Sequence, residues 1–206
     1  MKVVKNAGIF MALAVSVFLL MGLLNGCTRS STNAPSQTPV VQGETPVSPE
    51  KNPPGDIPDT QVFVQYSSVE GGYQLEVPEG WARSEQGTNV SFVDKLDGVK
   101  VMISQAVSAP TADSVRTNQL AVLLESVRAV QVDKVQDVRL SAGPAVLVEY
   151  SSNSDPDPVT SKQVRLENQM YLFFQNGRLA ALTLWAPLGA DNVDQWQRIA
   201  QSLRWS

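Results

Sequence analysis

The sequence predicts an α+β domain, a mainly antiparallel β-sheet sandwiched by helices. Two observations carry this. Short runs of alternating apolar and polar residues are separated by turn dipeptides, above all Asp97-Gly98 and Asn176-Gly177, so hairpins dominate. Two stretches, at about 112–128 and 192–204, place apolar residues at helical spacing. There is no internal repeat.

The elements follow in order. Gln61 to Tyr66 is dense in β formers, Gly71-Gly72 is a turn, and Tyr73 to Val77 alternates as a half-buried strand. Pro78 cannot donate to a ladder and ends that strand; Gly80 permits a tight turn, after which Trp81 folds its ring over the sheet edge. Thr88–Asp94 and Val99–Ser104 form a hairpin across Asp97-Gly98. Thr111 is a plausible N-cap, with Asp113 in the first turn, for a helix whose stripe includes Val115, Leu120, Val122, Leu123, Leu124 and Val127. Val130–Leu140 alternates, Gly143-Pro144 turns the chain, and Ala145–Tyr150 is strongly apolar. After a polar loop, 152–158, a long strand from Val164 to Phe174 pairs through Asn176-Gly177 with Leu179–Trp185. Asp191 or Asn192 caps a last helix running to about Arg204, with Val193, Trp196, Ile199, Ala200 and Leu203 on one face. The expected order is four strands, a helix, four strands and a helix.

Ahead of this domain lie two other segments. Residues 1–26 read as a lipoprotein signal peptide: Lys2 and Lys5, then an uncharged stretch from Ala7 to Leu24. The stretch ends in Leu24-Asn25-Gly26-Cys27, which resembles the bacterial lipobox. That resemblance implies diacylglycerol on the Cys27 sulfur, cleavage before Cys27 and an anchored mature chain. The alternative is an uncleaved N-terminal membrane helix, for which 18 apolar residues barely suffice. Residues 27–58 read as the lipidated Cys27 followed by a disordered tether. From Thr28 to Pro58, seven of 31 residues are Pro and eight are Ser or Thr, too few apolar groups to offset ordering entropy. The domain is expected over 59–206.

Composition removes whole classes of chemistry. The 206 residues include no His and one Cys. A Ser-His-Asp triad, a Cys-His dyad, a His-ligated metal and an internal disulfide are all impossible within one chain. From Cys27 onward there are 14 basic and 20 acidic residues, a net of −6 that gives no support for nucleic-acid binding.

At Gly72-Tyr73-Gln74-Leu75-Glu76-Val77-Pro78-Glu79-Gly80-Trp81 the chain resembles the opening motif of the PsbP/Mog1-like superfamily, and the later order of elements fits it in outline. The resemblance implies an antiparallel sheet between helices and a largely non-enzymatic, partner-binding role. It also raises a photosystem-associated accessory role as an alternative, without a residue motif to carry it.

The candidate site residues are few. Asn153, Asp155 and Asp157 share one loop with acceptors two apart, the kind of oxygen set calcium takes, although Pro156 and Pro158 stiffen it. Trp205, beside the C-terminus, is a candidate partner contact or a cover for the core edge. Glu76, Glu79 and Glu85 read as solvated carboxylates. No cofactor and no catalytic residue is expected. The resulting expectation is a lipid-anchored, extracytoplasmic, non-catalytic protein that binds an envelope partner. The alternatives are a small-ligand or calcium binder, or a hydrolase working without His.

Overall fold

The structure is a computed structural model, and it describes residues 43–51 and 53–206. The expected signal peptide, the lipobox-like Leu24-Asn25-Gly26 and Cys27 lie outside the described residues. Ten strands and three α-helical segments form two sheets. A small sheet has the order β1-β2-β10, from β1 (Phe63–Ser68), β2 (Tyr73–Pro78) and β10 (Arg204–Trp205). A large sheet has the order β3-β4-β5-β9-β8-β7-β6. Its strands are β3 (Ala82–Gln86), β4 (Asn89–Asp94), β5 (Asp97–Gln105), β6 (Gln131–Leu140), β7 (Gly143–Asn153), β8 (Arg165–Gln175) and β9 (Arg178–Pro187). Every pairing is antiparallel, as the hairpin turns require.

The alternation of the central strands feeds two separate cores. Ala145 and Leu147 of β7, Tyr171 and Phe173 of β8, and Ala180, Leu182 and Leu184 of β9 point to one face. There they meet Tyr73, Leu75 and Val77 of β2 and Trp196, Ile199, Ala200 and Leu203 of the C-terminal segment. Val146, Val148 and Leu172 point to the other face, against Ala112, Val115 and Leu123. The helices therefore do not sandwich the sheet alone. One face is covered by the segment from α1 (Ala112–Ser114) to α2 (Leu120–Ser126); the other is covered by α3 (Val193–Ser202) together with the small sheet. A ten-residue helix is too narrow to bury the face of five strands, and the small sheet supplies the remaining apolar cover.

The first helical segment departs from a regular stripe. It runs as α1 (Ala112–Ser114), a π-helical turn (Val115–Gln119) and α2 (Leu120–Ser126). Thr111 caps it as expected, with Ser114 completing a capping box. The π turn inserts one residue, so Val115 and Leu120, five apart, both face the core. Val122 and Leu124, assigned to the stripe from spacing alone, are exposed instead.

Two strands escaped the sequence pattern. In β3 every residue is exposed, so it carries no apolar alternation. The last helix stops at Ser202, and Arg204–Trp205 pair with Gln74 and Tyr73 of β2, so the expected end at Arg204 is corrected. In β6 a bulge between Val132 and Lys134 reverses the alternation, which keeps both Val132 and Val135 on the α1–α2 face. Gly72 occupies positive φ (+65°), the left-handed conformation that favours the motif glycine, with the Arg178 guanidinium packed against it.

Phe173 is fully buried in the centre of the larger core. Phe173→Ala is expected to cost about 3–5 kcal/mol, read as a lower urea midpoint with unchanged slope.

Candidate binding cleft and the strap at the opposite sheet end

Residues 43–51 and 53–58 have no regular secondary structure, yet they lie on the domain. They cross the end of the large sheet where β7 finishes, β8 begins, β9 finishes and β5 begins. Two buried asparagines hold this strap. Asn153, the last residue of β7, accepts from Val47 N–H (3.1 Å) through Oδ1 and donates through Nδ2 to Thr45 O (3.0 Å) and to Glu44 Oε1 (2.9 Å). Asn192 accepts from Ile57 N–H (2.6 Å) and donates to Gly55 O (2.7 Å). Each side-chain amide thus pairs with the strap backbone as another peptide group would. Asn192 is the N-cap residue of α3, as expected, but its side chain serves the strap rather than the helix.

Charge fixes the N-terminal end. Glu44 accepts from Arg128 Nη1 at 2.5 Å and from Gln163 Nε2 at 2.6 Å. The hydrogen bond from Asn153, joined by those from Gln163 and Arg128, holds the Glu44 carboxyl below its ordinary value against the opposing effect of burial. Farther along, Lys162 pairs with Glu50 at 2.7 Å, and Asp56 Oδ1 accepts from Asp191 N–H at 2.9 Å. Ile57 is buried in the larger core. Ahead of the expected domain start, Glu44, Thr45, Val47, Gly55 and Ile57 thus already make contacts with the fold. Composition misleads here since polar and Pro-rich chain can be ordered by side-chain amides and ion pairs instead of apolar burial.

Under the strap, Arg165 is 2% exposed. Its guanidinium donates to four uncharged acceptors: Ala129 O (2.7 Å), Asn153 Oδ1 (3.0 Å), Gln131 Oε1 (2.9 Å) and Ser151 Oγ (2.7 Å). Burial lowers its pKa, and among the described residues neutral acceptors meet both terminal nitrogens with no direct ion pair. Arg165 ties the ends of β6, β7 and β8 and presets the Asn153 amide for the strap.

The proposed calcium set is not assembled. The Asn153 oxygen is occupied by Val47 N–H and Arg165. Asp155 Oδ1 faces Arg128 Nε at 3.2 Å. Asp157 Oδ1 accepts from the N–H groups of Val159 and Thr160 and from the Thr160 hydroxyl, and these donors pull its carboxyl below its ordinary value. Protein donors, not a shared cation position, organise this loop. Among the described residues no cluster of three or more acidic, His or Cys side chains is suited to a metal.

Trp205 is half-buried and packs on the core edge, the second of its two expected placements. Its strand pairing with Tyr73 turns the indole against the larger core, its Nε1 is buried, and Arg178 stands 5.6 Å from its ring. Glu76 pairs with Arg198 (2.7 Å) and Glu85 accepts from Tyr66 Oη (2.9 Å).

At the opposite end of the sheet lies an open cleft of about 840 Å³. The β5–α1 loop (Ala106–Pro110), the first turns of the helix and the β8–β9 hairpin at Gly177 wall it. Gln105, Ser108, Thr111, Ser114, Asn118 and Gln119 supply amides and hydroxyls, and Val107, Pro110 and Leu179 supply apolar surface. No lining residue is ionisable. Such a surface can hold an uncharged hydrogen-bonding group, and it offers no acid, base or nucleophile pair. Sequence reasoning missed it because it is built from loop residues with no motif; the short-side-chain run Ser108-Ala109-Pro110-Thr111 was the available signal.

No protein-family model and no curated protein sequence matches the chain. Solved structures do. Cyanobacterial PsbP (CyanoP) from Synechocystis sp. PCC 6803, a solution structure, is similar over 74% of this chain and 98% of that one, at 16% identity and a TM-score of 0.52. A Bacteroides thetaiotaomicron protein covers 69% of this chain and 48% of its own, with 9% identity and a TM-score of 0.47. A Pseudomonas aeruginosa protein of unknown function covers 68% and 94%, with 19% identity and a TM-score of 0.41. The likeness to CyanoP shows that the fold is PsbP-like. Among the described residues no helix is long and apolar enough to cross a membrane.

Asn192→Ala strands the buried Ile57 N–H and is expected to cost about 1–3 kcal/mol in urea unfolding. Adding millimolar calcium is expected to leave Tm unchanged, whereas a real site would raise it by mass action.

Proposed function

We propose that this chain is a lipid-anchored, extracytoplasmic accessory protein that holds an envelope partner and carries out no catalysis of its own. The observation that carries the reading is the cleft: a sizeable concave surface, uncharged throughout, at the sheet end opposite the strap. Its chemistry suits an uncharged partner segment that offers backbone or amide hydrogen bonds together with small apolar side chains. The PsbP-like fold agrees with an accessory role, and Leu24-Asn25-Gly26-Cys27 supplies the anchor.

Because the strap joins the fold at Glu44, only 16 residues, 28–43, separate Cys27 from the domain. At full extension that spans roughly 55 Å, so the domain works close to the membrane.

Two measurements test the reading. Cys27→Ala is expected to leave the precursor unprocessed and the mature lipidated form absent; normal processing and membrane retention would contradict the anchor. A photo-cross-linker placed at the fully exposed Val107, on the cleft wall, is expected to capture one envelope protein in cells. The same group at Val69, exposed in the β1–β2 turn, is expected to capture none. Equal capture from both positions would overturn the cleft as the binding surface.

A further inference from the structure

We propose that the strap is a pH-responsive latch: its Gly55–Ile57 part docks on the strand ends while the Asp97 carboxyl is protonated, and loosens when that carboxyl ionises.

Asp97 opens β5 at the end of the sheet that the strap crosses. It is 6% exposed, and among the described residues its Oδ1 has no hydrogen-bond partner. The strap closes over this oxygen. At Gly55 a Cβ would lie 2.7 Å from Asp97 Oδ1 and 2.7 Å from Pro187 Cδ, so only a glycine, here at φ +131°, approaches so near. An ionised carboxylate with one oxygen buried away from any donor is costly, whereas a neutral carboxylic acid is tolerated. The cheapest relief is to readmit water, and the strap at Gly55 covers this oxygen without sheet or helix hydrogen bonds of its own.

The surrounding charges push the same way. From the strap comes Asp56, and from the β4–β5 turn come Asp94 and Lys95; the two aspartates disfavour ionisation of Asp97 and Lys95 favours it. Pro187 of β9 carries no charge, and the neutral Asn192 at the start of α3 is engaged with Ile57 and Gly55. Asp191 stands next to Asp56 through its backbone N–H. Burial first, then Asp94 and Asp56, raise the Asp97 carboxyl to about 7 in the closed state.

The sign follows from linkage. A carboxyl raised in the closed state favours closure fully below its ordinary value of 3.8, and that contribution falls as pH rises towards 7, then levels off. If loosening restores an ordinary value, the closing equilibrium drops at most about tenfold per pH unit, hence at most about 100-fold between pH 5 and 7. The other end behaves oppositely. Glu44 is held ionised by Asn153, Gln163 and Arg128 and stays pinned through this window, so the strap opens from the Gly55 side.

The test is an NMR titration of the intact chain in detergent micelles from pH 5 to 8. It follows the Asp97 carboxyl carbon and the Gly55, Ile57 and Val47 amides. Expected is one shared midpoint for Asp97, Gly55 and Ile57, with Val47 unmoved. Asp97→Asn is expected to flatten the Gly55 and Ile57 curves. Asp56→Asn, which retains an acceptor for Asp191 N–H, is expected to lower the Asp97 midpoint. The proposal is overturned if Asp97 titrates while Gly55 and Ile57 stay still, or if their transition survives Asp97→Asn. Should that variant not fold, an unchanged midpoint in Asp56→Asn overturns it.

Discussion

The constraint on which this structure depends is that β7 and β8 carry buried residues on both faces, while β9 buries one face and half-buries the other. Val146 and Val148 must be covered on one side, and Leu147, Phe173 and Leu182 on the other. A single layer packed on the sheet would leave one set in water, at about 25 cal/mol for each Å² of apolar surface. The rest of the architecture answers that demand. The α1–α2 segment covers one face; α3 and the β1-β2-β10 sheet share the other. The π turn, the β6 bulge and the return of Arg204–Trp205 to β2 are local adjustments that keep apolar residues aimed at these two cores.

The ends of such a sheet pose a different problem, because strand termini leave backbone groups and buried polar side chains to be satisfied. At one end the solution is the strap, pinned by two asparagines that act as substitute peptide groups and by the Glu44–Arg128 pair. Arg165 lies beneath, its two terminal nitrogens each donating to two neutral acceptors and, among the described residues, making no direct ion pair. A buried guanidinium satisfied by neutral acceptors fixes geometry more than it adds stability, since desolvation offsets much of its attraction. At the other end the loops stay open and form the uncharged cleft. The molecule is thus asymmetric along its strands, closed where the chain enters from residue 43 and accessible where the loops gather.

Much of the fold was legible in the residues. Alternation and the Asn176-Gly177 turn placed β8 and β9, and the Thr111 cap placed the first helix, because those signals are local. The illegible parts depend on tertiary partners. β3 is an exposed edge with no apolar face to announce it, and Arg204–Trp205 becomes a strand only because β2 offers an edge. The strap looked like a spacer because its order comes from Asn153 and Asn192, more than 100 residues away in sequence. The same Asn153 drew attention as a calcium ligand: its oxygen does bind donors, but they are Val47 N–H and Arg165. The cleft, assembled from loops, left no periodic trace at all.

The folded unit begins at the strap, with Val47 and Ile57 held by Asn153 and Asn192 at one end of the large sheet. The most direct measurement is hydrogen exchange of the Val47 and Ile57 amides in the intact chain at pH 5, where both ends of the strap are held. The account predicts exchange at least about tenfold slower than in a free peptide, since both amides are hydrogen-bonded to buried asparagines. Exchange at the free-peptide rate, with the β7–β9 amides still protected, would contradict it and return residues 43–58 to the tether.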